Sequence, residues 1–252
     1  AQIFEQESSD RAFEEEVMLV GFGQANVKAE GSAVGFDTAS ESFTARYVHD
    51  TIALAFALTE EAVEDNLYDS LSARYTKALA RSMAYTKQVR GANVLNDAFT
   101  VAGGDGVSLI NTAHPTALGG NFSNRSATDA DINETSLEQG MIDIAGFIDE
   151  RGLKIAMKGQ KLILPVNLQF VADRILESTL RVGTADNDIN ALKNMGMLPG
   201  GYTVNHYLTD TDAWFVKTDC PNGLKHFVRA ALATGMEGDF DTGNMRYKAR
   251  ER

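Results

Sequence analysis

Any chemistry in this sequence should be sought first between residues 103 and 115. Gly103-Gly104-Asp105-Gly106-Val107-Ser108 is glycine-rich enough for backbone amides to approach a phosphate. However, the Lys-Ser/Thr pair that ends a P-loop is missing, and so is the G-x-G-x-x-G spacing of a dinucleotide turn. The run reads instead as a tight turn that needs positive φ. Asn111-Thr112-Ala113-His114-Pro115 follows, and with Ser108 it supplies the residue types of a nucleophile and a base. The other histidines, His49, His206 and His226, are scattered, and none stands at metal-ligand spacing from Cys, Asp or another His. A loop histidine before proline more often bonds the backbone than moves protons. Asp186-Asn187-Asp188 starts like a calcium loop but lacks the glycine and the terminal glutamate at the required offsets, so it reads as a turn. No residue is therefore assigned a catalytic, cofactor-binding or metal-binding role.

Composition narrows the classes further. At 252 residues and 44% hydrophobic content the chain can bury one large core or two modest ones. No stretch approaches the roughly 20 uncharged apolar residues of a membrane span, and the first residues lack the basic flank and apolar run of a signal peptide. One cysteine, Cys220, excludes an intrachain disulfide and fits a reducing compartment. The net charge of −12 opposes tight binding to a phosphate backbone, because each phosphate contact needs a Lys or Arg. Part of that charge sits at the start, where Glu5, Glu7, Asp10, Glu14, Glu15 and Glu16 face only Arg11, so a solvated arm is expected there. The chain opens on Ala1 and stops on Arg250-Glu251-Arg252 without a turn signal, and both ends are expected to continue in a longer protein.

The elements that must position these residues are mixed. Residues 14–58 read as mostly extended, with Val27-Lys28-Ala29 and Ala33-Val34-Gly35-Phe36 as a hairpin around Glu30-Gly31-Ser32. That hairpin has little apolar content of its own and should need something else to lie on. Thr59-Glu60-Glu61 starts a helix with a hydroxyl cap and two carboxylates at its positive end. A stripe of Val63, Leu67, Leu71, Tyr75, Leu79 and Met83, resumed by Ala92, Leu95 and Phe99, predicts a helix of up to about 40 residues, or about 60 Å, with Gly91 as the place for a kink or stop. Residues 103–136 are too polar and glycine-rich for regular structure, and loops of such length usually meet partners. A second helix opens at Thr135-Ser136-Leu137-Glu138 and is expected to stop at Arg151-Gly152. Lys161–Pro165 reads as a buried strand, Leu168–Leu180 as a third helix, and residues 201–208 with 213–218 as a strand pair. Phe227–Leu232 and Met245–Arg250 add two extended segments. Val182–Leu192 reads as an exposed polar loop that caps a domain.

Several blocks together resemble one family. They are Leu58–Tyr68 with Lys77–Ser82, Ala92–Asn96, Gly103–Val107, Thr112–Pro115, Ser178–Leu192, Val204–Thr209 with Asp212–Phe215, and Asp219 with Gly223–Phe227. From about Gly21 onward the sequence resembles the major head subunit family of Mu-like tailed phages, which implies an α+β chain with the Hong Kong 97-type capsid fold. On that resemblance residues 1–20 are an N-terminal arm, 21–58 an extended hairpin loop lying over a neighbouring subunit, and 59–134 a peripheral domain with a long spine helix. Residues 135–226 become the axial domain, with Val182–Leu192 as a lip around a symmetry axis, and 227–252 a strand returning to the peripheral sheet.

The implied function is self-assembly into hexamers and pentamers of an icosahedral head, built in the host cytoplasm, around double-stranded DNA that the acidic shell touches only weakly. Implied partners are copies of itself, with scaffold, portal and decoration proteins beside them, and no membrane or cofactor. Some shells of this fold cross-link a loop lysine to an asparagine of another subunit, and Lys28 is the only lysine of the hairpin. Two alternatives remain open: a subunit of an encapsulin-like cellular compartment, which shares the fold, and a small hydrolase using His114.

Overall fold

The computed structural model describes residues 3–65, 68–181 and 188–252, with the side chains of 68–71 excepted. In chain order the elements are β1 (Glu5–Ser8), β2 (Phe13–Val20), β3 (Ser40–Val48), β4 (Ile52–Leu58), α1 (Glu60–Glu64) and α2 (Tyr68–Asn96). Then come β5 (His114–Pro115), β6 (Asn121–Phe122), α3 (Glu134–Ala145), β7 (Gly159–Leu164), α4 (Gln169–Glu177) and α5 (Ala191–Asn194). The chain closes with β8 (Tyr202–Val204), β9 (Phe215–Thr218), β10 (Lys225–Val228), β11 (Ala233–Gly238) and β12 (Met245–Glu251).

β7 joins two cores because its side chains alternate across the sheet. Leu162 and Leu164 pack with Leu137, Met141 and Ile144 of α3 and Ala172 and Ile175 of α4. Ile163 faces the other way, onto Leu95 and Ala98 at the end of α2 and Phe215 of β9. A third, smaller cluster seats Leu79 and Met83 of α2 on Ala249 of β12, flanked by Ile52 and Phe56 of β4. The long helix thus lies along the sheet of order β11-β12-β4 and reaches the β8-β7-β9 sheet at its far end.

Several expectations need correcting. The stretches 27–29 and 33–36 form no strands; the hairpin there is wider, β2 against β3 from Phe13↔Val48 to Val20↔Ser40, and residues 21–39 connect them. The expected turn is present: Ser32 N–H donates to Ala29 O and Gly31 has φ +78°. Thr59 caps α1 by accepting from Ala62 N–H, but α1 ends at Glu64, where Asp65 N–H bonds back to Glu61 O. The helix resumes at Tyr68, and Asn66 and Leu67 lie outside the described residues. Gly91 is no stop; α2 runs through it, since the flanking stripe residues Ala92 and Leu95 are buried and hold the turn.

α3 ends at Ala145, not at Arg151-Gly152, because Gly146 caps it and Asp149 Oδ1 then accepts from Arg151 N and Leu153 N in a separate turn. The third helix is shorter than expected, Gln169–Glu177, because Ser178 turns extended. Strands 202–204 and 215–218 do not pair with each other: β7 lies between them, parallel to β8 and antiparallel to β9. β11 was not foreseen, and Phe227–Leu232 is strand only as part of β10.

The acidic start is solvated as expected, with Glu5–Ser8 exposed, but it is also tied into the body. β1 runs parallel to β10 from Glu5↔Lys225 to Ser8↔Val228, and Lys225 Nζ bonds Glu16 and lies 3.4 Å from Glu7. This cation, brought in from a distant part of the chain, supplies countercharge that the local sequence lacked. Arg46 adds a second countercharge at Glu15 and stacks over Phe13 at 4.4 Å.

Candidate assembly interface

The connection between β2 and β3 stands almost wholly in solvent. Val27 and Phe36 are fully exposed, and Phe22 and Val34 are mostly so. Covering each such side chain releases about 1.5–3 kcal/mol, so a chain that leaves them bare has surface reserved for a neighbour. Lys28 stands exposed in the same segment, beside the turn at Glu30-Gly31. Phe240, between β11 and β12, is equally bare.

The base of this loop is tied to the body by one arginine. Arg151 reaches across from the loop after α3, donating Nε–H to Gly21 O at 3.0 Å and Nη2–H to Thr38 O at 2.6 Å, with Asp37 Oδ1 at 3.3 Å. Asp37 in turn accepts from Gly23 N and Thr38 N, and these amides, with help from Arg151, hold its carboxyl below the usual value. One guanidinium therefore grips both limbs of the loop where they leave the body. Gly104 adds a second restraint, since a Cβ there would stand 3.0 Å from Ala45 Cβ in β3.

The second exposed apolar group surrounds the polar loop after α4. Phe170, Ile189 and Met195 are about two-thirds exposed, and Leu180 is bridged to Ile189. Arg181 N–H donates to Asp188 O, and its guanidinium lies 3.3 Å from the nearly buried Glu134. Beneath them Asn190 is buried; its Nδ2 donates to Ile175 O and Ser178 O, and its Oδ1 accepts from Lys193 N. Of the expected lip, 182–187 lies outside the described residues, including Asp186 and Asn187 of the calcium-like run.

The chemical candidates separate instead of converging. His114 Nδ1–H donates to Asp105 Oδ2 at 2.6 Å, while Nε2 is buried without a partner. Ser108 donates its hydroxyl to Ile110 O and accepts from Asn111 Nδ2, so it is not bonded to His114. In the glycine run only Gly106 has positive φ, at +85°; Gly104 is there for space. His49 Nε2 meets Ser9 Oγ, whose proton goes to Glu14. His206 is exposed, and the His226 ring is pushed down by burial and by the nearby Lys87 ammonium. The Cys220 thiol is free and pushed up by burial beside Asp219 and Glu5, which disfavours the thiolate. Among the described residues no group of three or more His, Cys, Asp or Glu side chains could hold a metal ion, and no helix is long and apolar enough to cross a membrane.

Comparison with known proteins shows the family. A family model described as phage capsid protein matches residues 42–252. The chain belongs to the phage capsid protein family. Among solved structures, this capsid chain is similar to the bacteriophage JBD30 capsid at TM-score 0.62 and 10% identity, over 82% of this chain and 90% of that one. The capsid of the myovirus XM1 aligns at TM-score 0.57 and 11% identity, over 99% and 83%. A virus-like particle from Pyrococcus furiosus aligns at TM-score 0.51 and 10% identity, over 98% and 82%. At such identity these likenesses speak for a shared mixed helix-and-sheet fold. No curated protein sequence matches the chain.

Arg151, Asp37 and Asn190 are the residues that sequence reasoning missed. Asn190 had a readable signal, an N-cap asparagine before Ala191-Leu192-Lys193. Arg151 had none, since its partners lie more than a hundred positions away.

Proposed function

We propose that the chain is the major head subunit of a tailed phage, closing with its own copies into hexamers and pentamers of an icosahedral shell around double-stranded DNA. Beyond family membership, one observation carries this reading: the β2–β3 connection presents Val27, Val34 and Phe36 uncovered on a base gripped by Arg151. A free monomer has no use for an apolar loop tethered at its base and bare along its length, whereas a shell subunit does. The reading takes the fold as the Hong Kong 97 type, with divisions 1–20, 21–58, 59–134, 135–226 and 227–252. The pairing of β4 with β12 favours counting β4 with the peripheral sheet and taking β2 and β3 as the limbs of the extended loop.

In this role the chain performs no catalytic step and acts in the virion, after assembly in the host cytoplasm. Scaffold, portal and decoration proteins are proposed partners, and the acidic balance keeps contact with DNA weak. Lys28 stands where a cross-link to another subunit could form; boiled particles would then run as a ladder of multimers, and a single monomer band rules it out. A subunit of a closed particle other than a phage head is the second reading, favoured only by the likeness to the virus-like particle from Pyrococcus furiosus. Negative-stain microscopy of the purified protein tests both. Closed polyhedral shells support assembly, tails on particles from lysates identify the phage head, and a persistent monomer at high concentration refutes the proposal.

A further inference from the structure

The chain carries net charge −12, yet α2 runs against it. Arg74, Lys77, Arg81, Lys87 and Arg90 lie on this helix with Asp69 as its only acid. Lys87 and Arg90 are paired, with Glu251 and Asp50. Arg74, Lys77 and Arg81 are exposed and enter no ion pair among the described residues. Their spacing of three and four puts them on one face within about 60° of arc, over about 10 Å of axis. Leu79 and Met83, which seat the helix on the sheet, fall on the opposite side. The three cations therefore form a ridge pointing away from the body.

An acidic counterpart stands just before this helix. Glu60, Glu61, Glu64 and Asp65 are exposed, and among the described residues no cation pairs with them. Within one chain these two groups leave each other unpaired. Copies of a chain this acidic repel one another wherever their surfaces meet at random. An encounter is favoured only where a local excess of positive charge meets a local excess of negative charge, which also fixes register.

Resting on the capsid reading, we infer that the ridge Arg74, Lys77 and Arg81 of one subunit docks against the acidic α1 segment of a second copy. Packaged DNA is the other anionic surface available. A net −12 chain meets it with general repulsion, and DNA would leave the acidic segment without a partner.

Charge reversal tests this on the full chain. One variant carries Arg74→Glu, Lys77→Glu and Arg81→Glu; a second carries Glu61→Lys, Glu64→Lys and Asp65→Lys; a third carries all six. Glu60 is left alone because its carboxylate lies over Gly243 in the β11–β12 turn. Circular dichroism and size-exclusion of dissociated subunits show that each variant folds. The concentration needed for assembly should rise at least tenfold in each three-site variant and return to within threefold of wild type in the six-site variant, with the defects shrinking in 0.5 M salt.

The second variant is the sharpest arm. It lowers the magnitude of the net charge, so if overall repulsion alone governed assembly it would assemble better than wild type. Either three-site variant assembling as well as wild type overturns the inference, and so does a folded six-site variant no better than its halves. Normal assembly of the first variant with faster loss of packaged DNA would assign the ridge to DNA instead. A wild-type chain that never assembles defeats the capsid reading itself, and the inference with it.

Discussion

Replacing Asn190 by alanine should cost more than any surface substitution in the chain. The side chain is 1% exposed and serves three backbone groups: it donates to Ile175 O at 2.5 Å and Ser178 O at 3.1 Å, and accepts from Lys193 N at 3.2 Å. Loss of the cap is worth about 0.5–2 kcal/mol. Stranding buried carbonyls at the end of α4 adds about 1–3 kcal/mol. A total of roughly 3–4 kcal/mol should lower the Tm of dissociated subunits by at least about 6 °C in a chain of this size.

Asn190→Asp sharpens the test. The carboxylate keeps the cap acceptor but faces two carbonyls without a proton to give, so at neutral pH it should be no better than alanine. Only its protonated form has a proton to donate, and to one of those carbonyls, so its folded pKa is raised and the deficit should shrink in part as pH falls towards the carboxylate range. Urea unfolding at pH 7.5 and 5 reads both effects. An alanine variant within 1 kcal/mol of wild type, or an aspartate deficit that grows on acidification, would refute the reasoning.

Arg151→Ala should speed amide exchange around Gly21–Gly23 and Thr38 by at least about tenfold. Its effect on global stability should stay under about 2 kcal/mol, because the limbs also pair through β2 and β3; exchange mass spectrometry checks the first and urea unfolding the second. Gly104→Ala should push Ala45 outward and cost about 1–3 kcal/mol, visible as a lower Tm and poorer assembly. His226, held below its ordinary value by burial and then by Lys87, is charged more readily in the unfolded chain. Stability should therefore be full above the unfolded value of 6.5 and decline as pH falls from there towards the lower folded value. His226→Gln should flatten that decline in urea titrations at pH 7.5 and 5.5.

Local signals read well where local physics decides. Thr59 with its carboxylates, the stripe through Leu79, Met83, Ala92 and Leu95, and the break at Glu30-Gly31 all appear where spacing put them. Reading failed where the deciding partner is remote. β8 and β9 were joined because they are neighbours in sequence, although each meets β7, and no turn chemistry announces a parallel pairing. The acidic arm is exposed as expected, but its pairing with β10 went unread because Lys225, its countercharge, lies some two hundred residues on. β11, Ala-Thr-Gly-Met-Glu-Gly, lacks the alternation and bulk of a strand and exists because β12 offers it a full ladder. In the exposed loop the turn at Glu30-Gly31 was legible, while the wider hairpin of β2 and β3 and the arginine at its base were not.

The middle place of β12 has a consequence in time. β4 and β11 touch only through it, and Ala53 waits for Arg250. A ribosome delivers β4 and the long helix well before β12, so in the interval Phe56, Leu79 and Met83 lack the strand that covers them. The order of the strands thus makes the seat of the long helix a late-forming feature, because its non-local pairing waits for chain nearly two hundred residues further on.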